Sequence, residues 1–445
     1  MRTASYIQHS CTITEHRFEV PLDHRTSSPG APTIEIFARE VVRPGGESLP
    51  YLVYLQGGPG YGAPRVQDFR ESWLGRLLED HRLVLLDQRG TGQSGRLDAR
   101  SLIEESRFRS ADGALDAQRL ADYLMFFRQD QIVFDAEFVR RELAGDEPWS
   151  TLGQSFGGFI TTSYLSLAPE GLKKSLITGG LPGLVHVDDI YRRTYAATAA
   201  RNRAYFSRYT GDEQTVREVA AHLADTEETL PTGERLSPAR FRMIGMGLGT
   251  TTRTDLLHYL LEGPWVSVNG SRRLSSQFLE AVGAEIGVAP MYAVLQEAIY
   301  AGATPGLAGT ATAWCADRLA EEVPGFAKDA DPLDSSQPYY LTGEHMMRRI
   351  FDEDPALVPF AGVCDILAAR TDWPTVYLPE VLAHNSVPVA ASVYYDDMFV
   401  PRDLSVETAE AIRGARTWVT NEYQHDGLRA SGTAVVSHLL GLVAD

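Results

Sequence analysis

The stretch that decides the fold is Trp149-Ser150-Thr151-Leu152-Gly153-Gln154-Ser155-Phe156-Gly157-Gly158. It reads as a short buried strand that stops at Gly153 and re-enters as a helix at Phe156, with Ser155 at the apex of Gly-x-Ser-x-Gly. A serine on so sharp a strand-to-helix turn sits in strained backbone, so the residues two before and two after it must lack bulk. Gly153 and Gly157 meet that need, and Gly158 would let the helix pack close to neighbouring strands. The turn lifts the hydroxyl clear of the sheet, and the helix N-terminus behind it favours developing negative charge.

Outward from this turn the chain reads as an α/β protein. Residues 12–21 and 33–41 alternate apolar and polar, as antiparallel strands do, and the stretch between them, with Ser27, Ser28, Pro29, Gly30 and Pro32, is a turn. Residues 49–55 and 83–86 are nearly continuous apolar runs, which suit strands covered on both faces of a parallel sheet. Helices are expected over 65–78, with Phe69, Trp73, Leu77 and Leu78 on one side, and over 131–143. A strand at 175–179 follows the serine helix.

From about Leu184 to Trp373 the pattern turns helical, with no clear buried strand. Helical spacing runs through 191–209, 216–223 and 291–301, with Pro290 marking a helix start. The run Met243-Ile244-Gly245-Met246-Gly247-Leu248-Gly249 fits a close helix–helix contact or a loop. Strands resume at 388–395 and 417–420, and a last helix spans 432–443. The expected division is a core over 1–183, an inserted helical cap over 184–373, and the rest of the core over 374–445.

Composition narrows the function. The chain has 445 residues, 44% hydrophobic and 22% charged, as in a soluble globular protein. A net charge of −18 argues against nucleic acid or an anionic membrane as partner. Cys11, Cys315 and Cys364 are odd in number, far apart and not in metal-site spacing. The N-terminus lacks a signal-like apolar core, and no run approaches the about 18 apolar residues of a membrane helix. These features point to a cytoplasmic location. Oligomeric state is not legible.

A serine hydroxyl needs a base, and the base needs an orienting carboxylate. On a sheet of this kind they follow in the order serine, acid, histidine, each just after a strand. The strand ending at Tyr395 leads into Asp396-Asp397-Met398-Phe399-Val400-Pro401, and the strand ending near Thr420 leads into Gln424-His425-Asp426. His425 is the expected base, with His384 a rival, and Asp397 is preferred to Asp396 as the acid. Two backbone donors must hold the oxyanion. Phe156 supplies one; the other comes from Gln56-Gly57-Gly58-Pro59-Gly60-Tyr61-Gly62, with Gly58 preferred to Gly57. A third glycine loop, Asp87-Gln88-Arg89-Gly90-Thr91-Gly92-Gln93-Ser94-Gly95, lacks nucleotide-binding spacing. It reads as a brace for the oxyanion loop, with Arg89 paired to a buried carboxylate.

Gly-Gly-Pro-Gly at 57–60, Asp-Gln-Arg-Gly-x-Gly-x-Ser at 87–94 and Gly-Gln-Ser-x-Gly-Gly at 153–158 together resemble the proline iminopeptidases, serine peptidases of the α/β-hydrolase fold, in their larger bacterial branch. Asp397-Met398-Phe399-Val400-Pro401 is similar to that family's acid motif. The resemblance implies release of an N-terminal proline from peptides that carry it free, without metal or cofactor. It also implies that cap glutamates hold the substrate's amino group. Glu297, in a Glu-x-x-Tyr pattern with Tyr300, matches best, with Glu262 second and Glu344 third by position alone. The chain departs from the family at Gln56, where histidine is usual, and at Gln424-His425-Asp426, where Gly-His-Ser is usual; Asp426 is a source of perturbation for the base. Two other readings stay open: an esterase, amidase or broader aminopeptidase on the same triad, and a ligand-binding protein without turnover.

Overall fold

The computed structural model describes every residue except Met1, Ser27, Pro29, Val66, Glu71 and Asp445. Ser27 and Pro29 of the expected turn, and Val66 and Glu71 of the expected helix, thus lie outside the described residues.

Among the described residues eleven strands run β1 (Arg2–Gln8), β2 (Cys11–Pro21), β3 (Thr33–Val42), β4 (Tyr51–Leu55), β5 (Arg82–Asp87), β6 (Trp149–Gln154), β7 (Leu172–Thr178), β8 (Trp265–Val268), β9 (Ser271–Leu274), β10 (Val389–Tyr394) and β11 (Ala415–Thr420). Nine form one sheet in the order β1-β2-β3-β5-β4-β6-β7-β10-β11. The edge β1-β2-β3 is antiparallel and joins β5 antiparallel; from β5 to β11 every pairing is parallel. The chain steps from β4 to β5 on one side and returns to β6 on the other. That reversal opens a crevice beyond the C-terminal ends of β4 and β6, where open α/β sheets bind ligands.

The apolar runs in β4 and β5 have a direct cause. Leu52, Tyr54, Leu83 and Leu85 face one layer, packing with Leu74, Leu77, Val435, Val436 and Leu439 of the helices Trp73–Leu78 and Gly427–Leu442. Val53, Leu55, Val84 and Leu86 face the other, with Ile132, Val133, Phe159 and Ile160 of Gln129–Ala144 and Phe156–Leu167. A strand covered on both faces has no polar side to show.

Between β7 and β10 the chain is mostly helical, beginning with Val187–Arg208 and Asp212–Asp225. Its apolar side chains, among them Tyr191, Leu223 and Ile299, join the same buried cluster as the sheet. The antiparallel β8–β9 hairpin lies in this segment and is largely exposed, so it leaves no buried-strand signal. The helix expected over 65–78 is shorter: it starts at Trp73, where the Ser72 hydroxyl accepts from Gly75 N–H at 3.2 Å. No single helix among the described residues is long and apolar enough to cross a membrane.

Candidate active site

Ser155 occupies the junction of β6 and the helix Phe156–Leu167 with φ 54° and ψ −122°, a left-handed conformation that costs about 1–3 kcal/mol in a residue with a side chain. Its N–H donates to the Thr178 carbonyl at 3.0 Å, and its carbonyl accepts from Gly158 N–H at 2.7 Å. The flanking glycines are steric requirements. A Cβ on Gly153 would run into the Gly157 carbonyl, one on Gly157 into the Leu55 carbonyl, and one on Gly158 into the Gly180 carbonyl.

His425 lies in the loop after β11, with Nε2 2.8 Å from the Ser155 hydroxyl and Nδ1 2.8 Å from Asp397 Oδ2. The other Asp397 oxygen accepts from Phe399 N–H at 2.9 Å and Val400 N–H at 3.0 Å, which fixes the carboxylate in its turn after β10. The network therefore assigns the imidazole its proton on Nδ1, leaving Nε2 to accept the serine proton. Asp396 is exposed, and His384 is also exposed, with its ring on the Glu380 carbonyl at 2.8 Å. Burial works against a charged His425. The Asp397 carboxylate, joined by Glu344 and Asp426, outweighs it and holds the imidazole above its ordinary pKa.

The loop after β4 runs against the serine turn: a Cβ on Gly57 would lie 3.0 Å from Ser155 Cβ. Among the described residues the N–H groups of Gly57, Gly58 and Phe156 donate no hydrogen bond within the protein. The loop after β5 braces this one: Gln88 Nε2 donates to the Gln56 carbonyl at 2.8 Å, and Asp87 accepts from Ala63 N–H at 2.9 Å. Arg89 is buried and forks onto Asp135 with two bonds of 2.7 Å.

The three cap glutamates have different fates. Glu262 sits at a helix C-terminus with its side chain 58% exposed, 3.6 Å from His258; it faces solvent and is not brought to the site. Glu297 is buried, and its carboxylate accepts from Thr312 Oγ1 at 2.7 Å, Trp314 N–H at 3.2 Å and Cys315 N–H at 2.5 Å. It fastens the start of the helix Cys315–Ala320, so its lone pairs are committed to the protein rather than free for an amine. Glu344, placed third in the sequence, lies close enough to His425 and Asp397 for their charges to act on it. Burial pushes its pKa up to about 7, against a hydrogen bond from the Tyr292 hydroxyl and the pull of His425, with Asp397 adding to the rise. Tyr300 packs edge-on to Phe159 and Tyr191, at 5.7 and 5.8 Å between ring centroids.

Sequence reasoning missed Tyr292, whose only signal is its place five positions before Glu297. It also left open the glycine run, which proves to be a 3-10 helix, Arg242–Gly249, on the rim of the site. Gly245 meets the Thr342 carbonyl and Gly249 the Phe399 ring, both closer than a Cβ would allow. The Gly249 carbonyl accepts from His425 N–H at 3.2 Å, and Asp426 accepts from Thr251 and Thr252 N–H at 3.1 and 3.3 Å.

The strand order, the crevice at its reversal and the strained serine at the β6 turn define an α/β-hydrolase. The profile of that fold matches residues 50–262. The chain is 37% identical to a proline iminopeptidase of Aeromonas sobria over 445 residues, covering 99% of this chain and 98% of that one. It is 32% identical to the proline iminopeptidase aneH of Aspergillus aculeatus, covering 98% and 94%. The chain belongs to the proline iminopeptidase family.

Proposed function

We propose that the protein is a serine exopeptidase that releases proline from the free N-terminus of peptides. His425 takes the proton of Ser155 as the hydroxyl oxygen attacks the prolyl carbonyl carbon; Asp397 holds the imidazole in the required tautomer and steadies the imidazolium. The Gly58 and Phe156 N–H groups receive the oxyanion. His425 then gives its proton to the leaving nitrogen, the peptide bond breaks, and an ester links proline to Ser155. Water, activated by the same imidazole, hydrolyses that ester and frees proline and the serine.

The observation that carries the specificity is Glu344, a desolvated carboxylate within the field of His425 and Asp397. A serine site for neutral acyl groups gains nothing from such a charge, which stabilises the imidazolium before substrate arrives. A site for a cationic imino group gains an ion pair where water is scarce. The segment 184–373 acts as the cap over this pocket, with the rings of Phe159, Tyr191 and Tyr300 beside the pyrrolidine. Three buried, unpaired thiols suit a reducing compartment such as the cytoplasm. The test is hydrolysis of proline naphthylamide against its N-acetyl derivative: the free amine is expected to react at least about 100-fold faster in kcat/KM, the worth of a charge-assisted contact. Equal turnover rules the reading out.

A further inference from the structure

Tyr292 touches both halves of the chemistry. It lies in the helix Pro290–Gln296, and its hydroxyl donates to the Glu344 carboxylate. Its ring stands 5.6 Å from the ring of Tyr61, which follows the oxyanion glycines. Its backbone seats that same loop: Gly60, at φ 85°, comes so close that a Cβ there would lie 2.9 Å from Tyr292 N and 3.2 Å from the Met291 carbonyl carbon. The side chain itself is only 6% exposed, so neither contact is a surface accident.

A glutamate reaches its ligand through three rotatable bonds, and a pocket that must recognise a ring nitrogen close to the scissile carbonyl cannot leave them free. We infer that Tyr292 is a positioning residue, which pins Glu344 through its hydroxyl and holds the distance between amine recognition and the oxyanion donors through its seat under Gly60. The inference rests on the exopeptidase reading above. It adds that recognition of the imino group depends on a residue that need not touch substrate.

Tyr292→Phe separates the two contacts, because it keeps the ring and backbone and removes only the hydroxyl. Two substrates read it: proline 4-nitroanilide, and the 4-nitrophenyl ester of cyclopentanecarboxylic acid, which has the ring without the nitrogen. In the full chain, kcat/KM for the prolyl substrate is expected to fall about tenfold, mostly through KM, as for loss of a hydrogen bond to a charged group. The ester should change by less than about twofold, since both reactions share the same nucleophile and oxyanion donors. In a Glu344→Gln background the same substitution should have little further effect on the prolyl substrate, because the two residues act as one unit. Equal losses on both substrates would show a merely structural tyrosine and overturn the inference, as would an unchanged prolyl reaction. The wider reading fails differently: the unaltered chain would then treat proline naphthylamide and its N-acetyl form alike. Fluorophosphonate labelling of Ser155 at an undiminished rate checks that the variant is folded.

Discussion

Glu344 and His425 lie close enough for the charge of each to act on the other's titration. Burial raises Glu344 to about 7 while the Tyr292 hydrogen bond and His425 restrain it; burial opposes the charge on His425 while Asp397, Glu344 and Asp426 raise its pKa. Under the proposed function Glu344 would pair with a cationic imino group only when ionised, which needs pH above its own pKa. His425 accepts the serine proton only when neutral, which needs pH above its raised value. Both steps therefore cut activity on the acid side, as a coupled pair. With proline naphthylamide, kcat/KM should climb with pH through the region of about 7 more steeply than one proton allows. Glu344→Gln should reduce the climb to a single proton and lower kcat/KM by about 10- to 100-fold. A pH–rate series on both chains decides it; an unchanged slope would remove Glu344 from the recognition step.

Ser155, Asp397 and His425 were legible because each follows a strand whose pattern is strong, and the register of Asp397-Met398-Phe399-Val400-Pro401 separated Asp397 from Asp396. The cap carboxylates were not. Glu262, Glu297 and Glu344 look alike in local sequence, and their fates depend on partners far along the chain. Glu297 meets donors 15 to 18 positions away, and Glu344 meets a tyrosine 52 positions away. No periodicity encodes such meetings.

Among the elements, the serine turn has the least tolerance. Gly157 faces the Leu55 carbonyl at the end of β4, so an added methyl meets backbone that cannot rotate aside. Gly157→Ala should destabilise the protein by about 3 kcal/mol or more, at the upper end for overpacking, and abolish fluorophosphonate labelling in whatever folds. Thermal unfolding monitored by circular dichroism measures it; a normal Tm with normal labelling would refute the steric account. The inner strands β4, β5 and β10 could be read because double burial writes itself as an apolar run. β1 could not, since its sequence Arg-Thr-Ala-Ser-Tyr-Ile-Gln lies at the sheet edge with Ile7 77% exposed and carries no burial pattern. Ser431, at φ −153° and ψ 52°, is non-helical, so Gly427–Leu442 is two helical pieces that meet at a kink, and the helix expected from Gly432 is the second of them. Gly432 packs there on Trp73, where a Cβ would lie 2.8 Å from the indole.

Over the whole molecule, the mostly helical segment between β7 and β10 was legible as the place where buried-strand patterning stops. Its attachment to the core was not, because it runs through polar backbone at the rim as well as through apolar packing. Asp426, next to the base, accepts from Thr251 and Thr252 N–H across that junction. Asp426→Ala leaves these donors without an acceptor and should lower Tm by about 2–5 °C. It also removes one of the charges that raise His425, so the acid side of the pH–rate curve should move to lower pH. Calorimetry together with a pH series tests both; an unmoved curve would show that Asp426 serves the junction alone.

The close seat of Gly249 against Phe399 and His425 bears on how such enzymes can be rebuilt. A chimaera that married this sheet to another relative's canopy would take away the ledge on which His425 rests. Any such hybrid has to carry residues 242–252 along with the sheet, whatever substrate the new roof was chosen to admit.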